Sequence, residues 1–151
     1  MNMATEIERY RQAGSEFVLA ARSGVEKAET GGNGSWGATE IAHHLADADL
    51  HFAIRIREIL VHDNPALVFF AEEGYGSKLN YADRPIEPAL LLIKMIHEET
   101  ADLLTTLPEQ AWSRGGARAD GLNLTLADVV RKSIDHTKEH IDQVANLKSA
   151  L

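Results

Sequence analysis

Apolar residues recur at spacings of three and four along nearly the whole chain, and this period constrains the fold more than any other feature. Ile7, Tyr10, Gly14, Phe17, Val18 and Ala21 form one such stripe. Ile41, Leu45, Ala48, Phe52, Ile56 and Ile59 form a second, and Leu92, Ile93, Ile96, Thr100, Leu103 and Leu104 a third. Leu126, Val130, Ile134, Thr137, Ile141 and Val144 form the fourth. A 3.6-residue period puts each set on one side of a helix, which must then bury that side against its neighbours. No period-two alternation of useful length competes with it. The chain of 151 residues therefore reads as one all-α domain, a four-helix bundle.

Punctuation sets the expected boundaries. The first helix covers roughly 4–22, and GVEKAETGGNGSWG, with five glycines in 14 residues, ends it. The second runs over 39–61 and stops at Asn64-Pro65. Residues 62–85 make a long connection, for which the sequence predicts a short helix in ALVFFAEEG followed by an extended stretch through Asn80 and Tyr81. The third helix spans 88–104, and Pro108 opens a short turn, PEQAW. SRGGARADGLN is a second breaker, after which Thr125 and Asp128 form a capping-box pair at the head of the last helix.

Composition excludes several function classes. Fifteen basic against 23 acidic residues give a net charge of −8 with no basic cluster, which argues against a nucleic-acid partner. The apolar runs at 66–71 and 89–93 are far short of the roughly 20 residues needed to span a membrane. The N-terminal MNMATEIERY has the character of no export signal, so the expectation is a cytoplasmic protein with no membrane partner. With no cysteine, the chain has no disulfide, no thiolate metal ligand and no thiol nucleophile of its own. Seven histidines remain as the chemical lead.

His136 and His140 stand four residues apart on the last helix, about 40° apart around the axis and about 6 Å along it. Two imidazoles so placed can meet one metal ion. They flank the buried stripe, and bundles build metal sites from inward side chains on facing helices. The second helix offers His43, His44 and His51 as a third ligand. His44 borders the buried stripe, His43 looks toward the rim, and His51 sits about 10 Å further along the axis, where it can line the pocket. HTKEH also fits the H-x-x-E-H pattern of inverzincin peptidases. Those enzymes take a third ligand well downstream, and only 11 residues follow His140, so Glu139 reads as a solvated charge.

Other residues take supporting roles. Asp47, one turn after His44, is a candidate catalytic or proton-relay carboxylate. Tyr75, Asn80 and Tyr81 lie in the long connection and can reach over the mouth, so His51, Tyr75 and Tyr81 are the candidate pocket residues. Leu67, Val68, Phe69 and Phe70 cover the core or make a dimer contact. Trp36 and Trp112 are packing anchors. His97, beside Glu98 and Glu99, reads as an exposed helix residue, and His62 as a helix-end cation.

WGATEIAHHLADAD resembles the second-helix motif of the DinB/YfiT-like superfamily of bacterial four-helix bundles. In that motif a metal-binding histidine within HLAD follows a tryptophan by eight positions, and Trp36 selects His44 over His43. IDHTKEHIDQV resembles the family's H-x-x-x-H motif on the last helix, and FFAEEGYGSKLNYADRP its connection between helices two and three. One departure is Gly37, where Ser or Thr often follows the tryptophan. The resemblance implies a divalent ion, zinc or nickel, held by His44, His136 and His140 with open positions, in a protein that is often a homodimer. It also implies a metal-dependent transferase of low-molecular-weight thiols, bacillithiol or mycothiol, acting on a small-molecule substrate, or else a metal-dependent hydrolase.

A three-histidine ion can activate either a bound water or an exogenous thiol, and ligand spacing does not separate the two. In the thiol case the sulfur must come from a cosubstrate. Two non-enzymatic readings stand beside these: a bundle whose ion is structural or vestigial, and a metal-free regulatory bundle.

Overall fold

The computed structural model describes residues 2–27 and 35–147. Four long helices organise these residues: α1 (Met3–Lys27), α2 (Ala38–Val61), α4 (Ile86–Thr105) and α5 (Leu126–Ala145). A one-turn helix, α3 (Tyr75–Lys78), lies between α2 and α4. The four-helix expectation is met, with α1 running five residues past its expected end at 22. The glycine-rich part of the first breaker, 28–34, lies outside the described residues.

The helices are placed in an order that their stripes could not name. α1 packs chiefly on α4 and α5, and α2 likewise packs on α4 and α5. Consecutive helices α1 and α2 are thus diagonal partners. The core forms two clusters: one around Tyr10, Ile56, Ile59, Trp112, Leu126 and Ile134, the other around Phe17, Ile41, Leu45, Leu90 and Ile93.

Three local expectations are corrected. The short helix in the connection forms at Tyr75–Lys78, after the aromatic run and not within it. Residues 67–72 are irregular, and they carry Leu67 into the core while leaving Phe69 67% exposed. The second breaker holds a hairpin, β1 (Gly115–Ala117) paired antiparallel with β2 (Asn123–Thr125). Ala66 bridges to Ala117 in parallel, so the α2–α4 connection is stitched to this hairpin. In α4 the buried stripe is Leu90, Ile93, His97, Thr100, Ala101 and Leu104, while Leu91 and Leu92 face outward.

The capping chemistry is realised. Thr125 N–H donates to the Asp128 carboxylate at 2.9 Å, and Asp128 N–H donates to Thr125 Oγ1 at 3.1 Å. At the head of α2, where Gly37 has no side chain to cap with, Glu40 accepts from the Gly37 N–H at 3.2 Å. No helix among the described residues is long and apolar enough to cross a membrane.

Candidate metal centre

α2 and α5 lie side by side, and their inward faces bring three imidazoles together. His44 comes from the first half of α2, and His136 and His140 from the middle and last third of α5. One potential donor atom from each of the three lies within 4.8 Å of the other two. The ring centroids of His44 stand 5.4 Å from His136 and 4.8 Å from His140. His136 Nε2 and His140 Nε2 face each other at 3.1 Å. Two donors on one tetrahedral zinc are about 3.3 Å apart, from bond lengths of about 2.0–2.1 Å. The pair is therefore already set at near-ligand spacing.

Protonation favours the same use. Burial, then the neighbouring His140, pulls the pKa of His44 down to about 4. Burial, then His140 and His44, does the same to His136, also to about 4. Both rings are neutral at pH 7 and keep a free lone pair, which is the ligating form. His140 Nδ1 donates to Gln143 Oε1 at 2.7 Å, which leaves its Nε2 bare and aimed at His136. The buried Nδ1 atoms of His44 and His136 have no hydrogen-bond partner among the described residues. Three imidazole donors at this spacing, two of them kept neutral by burial, fit a divalent ion.

Aromatic rings surround the cluster. Phe70 stacks on His44 at 5.9 Å and on His51 at 4.4 Å, and Tyr75 meets Phe70 edge-on at 4.9 Å. Phe52 leans on His136 at 5.9 Å, and Trp36 leans on His44 at 5.2 Å. His51 Nδ1 donates to the Asp47 carbonyl at 2.7 Å, so its Nε2 carries the lone pair. Glu72, from the connection, brings a carboxylate oxygen to 3.7 Å from His44 Nε2.

Of the tyrosines expected to reach over the mouth, Tyr81 instead turns into the core. Tyr81 is fully buried, and its hydroxyl donates a short hydrogen bond to Asp47 Oδ2. Burial, followed by Asp47, drives the Tyr81 pKa well above its ordinary value, so the phenol stays protonated. Asn80 takes a left-handed backbone, φ 53°, at the entrance to the turn that carries Tyr81. His43 is buried rather than on the rim, against the carbonyls of Arg84 and Pro85 and stacked on Tyr81. Glu139 is exposed and takes no part in the cluster.

His97 corrects the sequence reading most sharply, because it is fully buried. Its Nε2 lies 3.0 Å from Asp49 Oδ2, and its Nδ1 donates to the Tyr10 carbonyl at 2.7 Å. Asp49 also acts electrostatically on His136, and its Oδ1 has no partner among the described residues. Sequence reasoning missed Asp49, Glu72 and Gln143. Asp49 follows Leu45 by four and precedes Ile56 by seven, so an acid interrupts the apolar stripe there. Gln143 follows His140 by three, a spacing that puts the two side chains in reach. Glu72 carries no periodic signal.

No family model matches the chain. Curated bacterial proteins that carry the provisional name of metal-dependent hydrolase do match. GK0616 of Geobacillus kaustophilus is 32% identical over 117 residues, covering 76% of this chain and 65% of that protein. YfiT of Bacillus subtilis is 26% identical over 116 residues, again 76% of this chain and 65% of the relative. The chain therefore spans just under two thirds of these relatives. The solved structure of Bacillus subtilis YfiT, described as having an unusual four-helix bundle topology, superposes with a TM-score of 0.81 at 23% identity, covering 93% of this chain and 85% of that one. A mycothiol-dependent maleylpyruvate isomerase superposes with a TM-score of 0.68 at 14% identity, covering 99% of this chain and 62% of that one. In sequence the chain is similar to these bacterial proteins, and it shares the four-helix-bundle fold of YfiT.

Proposed function

We propose that the protein is a metal-dependent enzyme of small-molecule chemistry that transfers a low-molecular-weight thiol, of the bacillithiol or mycothiol type, to a small electrophile. The observation that carries this reading is the convergence of three imidazole donors within 4.8 Å at an aromatic-lined mouth. When bound, a divalent ion such as zinc or nickel supplies Lewis acidity that lowers the pKa of a coordinated thiol or water.

The chain's own residues account for the rest. His44, His136 and His140 hold the ion, and Gln143 fixes the tautomer of His140. Phe70, Phe52 and Tyr75 exclude water and offer apolar surface to a carbon skeleton. His51, with a lone pair on Nε2 beside Phe70 and Tyr75, can accept a hydrogen bond or a proton from a bound substrate. Asp47 is the catalytic carboxylate in this reading. Tyr81 orients it, and because the phenol keeps its proton it positions without acting as a base. The absence of cysteine means that any reacting sulfur arrives with a cosubstrate.

The names of the curated relatives favour a second reading, hydrolysis at the same centre. One assay separates the two. Zinc- or nickel-loaded protein is given bacillithiol or mycothiol with 1-chloro-2,4-dinitrobenzene, and in parallel a p-nitrophenyl ester alone. Metal-dependent thioether formation supports transfer, and metal-dependent ester cleavage alone supports hydrolysis. No metal-dependent turnover in either arm refutes the enzyme and leaves a binding bundle.

The net charge of −8 and the lack of a basic cluster support a small-molecule substrate rather than nucleic acid. The working form in this reading is a homodimer. Leu19, Leu91 and Met95 are 69%, 62% and 49% exposed on the α1–α4 side, the first two beside a groove of 610 Å³. Sedimentation at micromolar concentration tests it, and a single monomer species removes it.

A further inference from the structure

Glu72 reaches the metal centre from outside the helices. Its Oε2 is 3.7 Å from His44 Nε2, too long for a hydrogen bond. It is close to the separation of about 3.4 Å expected for a nitrogen and an oxygen donor on one tetrahedral ion, given bonds of about 2.0–2.2 Å. The backbone at Glu72 is held from both sides. Phe70, two residues before it, is stacked on His44 and His51. The Glu72 carbonyl accepts from the Tyr75 N–H at 3.1 Å. The side chain is 63% exposed, with solvent on the side away from His44. An anchored backbone with a solvent-exposed carboxylate suits a ligand that an incoming donor can displace.

Charge points the same way. Three neutral imidazoles leave the whole charge of a divalent ion uncompensated at a largely buried site, and an anionic ligand offsets that cost. The nearby Asp47 and Asp49 are committed, to Tyr81 and to His97. Glu72 stands beside one donor of the triad, and rotation about its own side-chain bonds is what would bring it to an ion shared by all three.

We infer that Glu72 is a fourth, displaceable metal ligand, which closes the coordination position at rest and gives way to an incoming substrate donor. The inference rests on the three-histidine reading of the site. It differs from a closed structural site in one respect: three ligands ride on helices, while the fourth rides on an irregular segment.

The test compares wild-type protein, Glu72→Gln and, as a control, Glu73→Gln, each loaded with Co²⁺. Metal affinity is measured by chelator competition and coordination by the visible absorption of the ion. Affinity for 2-mercaptoethanol is read from the sulfur-to-cobalt charge-transfer band. Glu72→Gln is expected to weaken Co²⁺ binding by about tenfold, to change the visible spectrum, and to strengthen 2-mercaptoethanol binding severalfold, with Glu73→Gln unchanged. Opposite movement of the two affinities is what a merely structural glutamate would not produce. An unchanged spectrum and unchanged affinities in Glu72→Gln overturn the inference while leaving the triad standing. Failure of folded wild-type protein to bind Co²⁺ at all overturns the triad as well.

Discussion

Asp49 on α2 and His97 on α4 form a pair at 3.0 Å with both side chains completely buried, and the second ring nitrogen of His97 donates to the carbonyl of Tyr10 on α1. One imidazole thus ties three helices together. Both of its nitrogens face acceptors, which is the environment of a doubly protonated ring. Burial alone would lower the pKa of His97. The Asp49 charge, its hydrogen bond and the Tyr10 carbonyl outweigh burial, and the net shift is upward.

Breaking this pair is expected to be costly. Asp49→Asn leaves a buried cation without its counter-charge, and losses on this pattern run to about 3–5 kcal/mol. Urea unfolding at pH 6 measures it, and a loss below about 1 kcal/mol would mean that the ring is not charged in the folded state. The pH dependence has a definite sign. A histidine raised by folding contributes fully below its unfolded pKa of about 6.5 and loses that contribution as pH rises through the higher folded value. Wild-type stability is therefore expected to decline on the alkaline side of 6.5, and Asp49→Asn is expected to lack that decline.

Gly14 gives His97 its room. A Cβ at Gly14 would lie 2.8 Å from both Cβ and Cγ of His97, side-chain atoms too close to their own backbone to swing clear. Gly14→Ala is expected to force α1 and α4 apart and cost about 1–3 kcal/mol, despite the better helix propensity of alanine. A thermal melt no lower than that of wild type would overturn the close-approach argument.

His44 and His136 should titrate far from the ordinary histidine range. With both near 4 in the metal-free protein, their ring carbon shifts are expected to stay flat from pH 7.5 to 5.5. A midpoint near 6.5 at either ring would show that it is solvated. Because folding lowers these two pKa values, their contribution to stability is present above about 6.5 and is lost as pH falls toward 4.

Removing a ligand should remove the ion. Reconstituted wild type is expected to hold about one zinc or nickel per chain, and His136→Ala or His44→Ala less than about 0.2. Free metal at 100 times its dissociation constant should raise wild-type stability by about 2.7 kcal/mol and leave these variants unmoved. Equal retention by the variants would place the ion elsewhere.

The helices and most of their buried faces were legible in the sequence because a 3.6-residue period survives any rearrangement of neighbours. Which helices become neighbours was not, since a stripe states that a face is buried and not against what. His136 and His140 were legible as a pair through their spacing, whereas the stripe left His43, His44 and His51 open and the resemblance carried by WGATEIAHHLADAD pointed to His44. His97 was misread because Glu98 and Glu99 flank it, although adjacent positions on a helix point some 100° apart. Its burial depends on the missing side chain of Gly14 in another helix. The hairpin escaped notice because three-residue strands, one of them Gly-Gly-Ala, show no alternation. The connection was misassigned because so long a loop was expected to hold a short helix within ALVFFAEEG, whereas the chain stays irregular there and lays Phe70 over the histidines.

The split of the histidines between α2 and α5 has a thermodynamic side. Most of the chain lies between His44 and His140, so an ion held by both helices acts as a cross-link closing a very long loop. The closure entropy is supplied by folding itself, since the donors meet only once α2 and α5 have docked. Metal occupancy then reports on the integrity of the bundle as a whole, and a destabilising change remote from the site, such as one at Gly14, lowers apparent metal affinity by the same free energy once the unfolded form predominates.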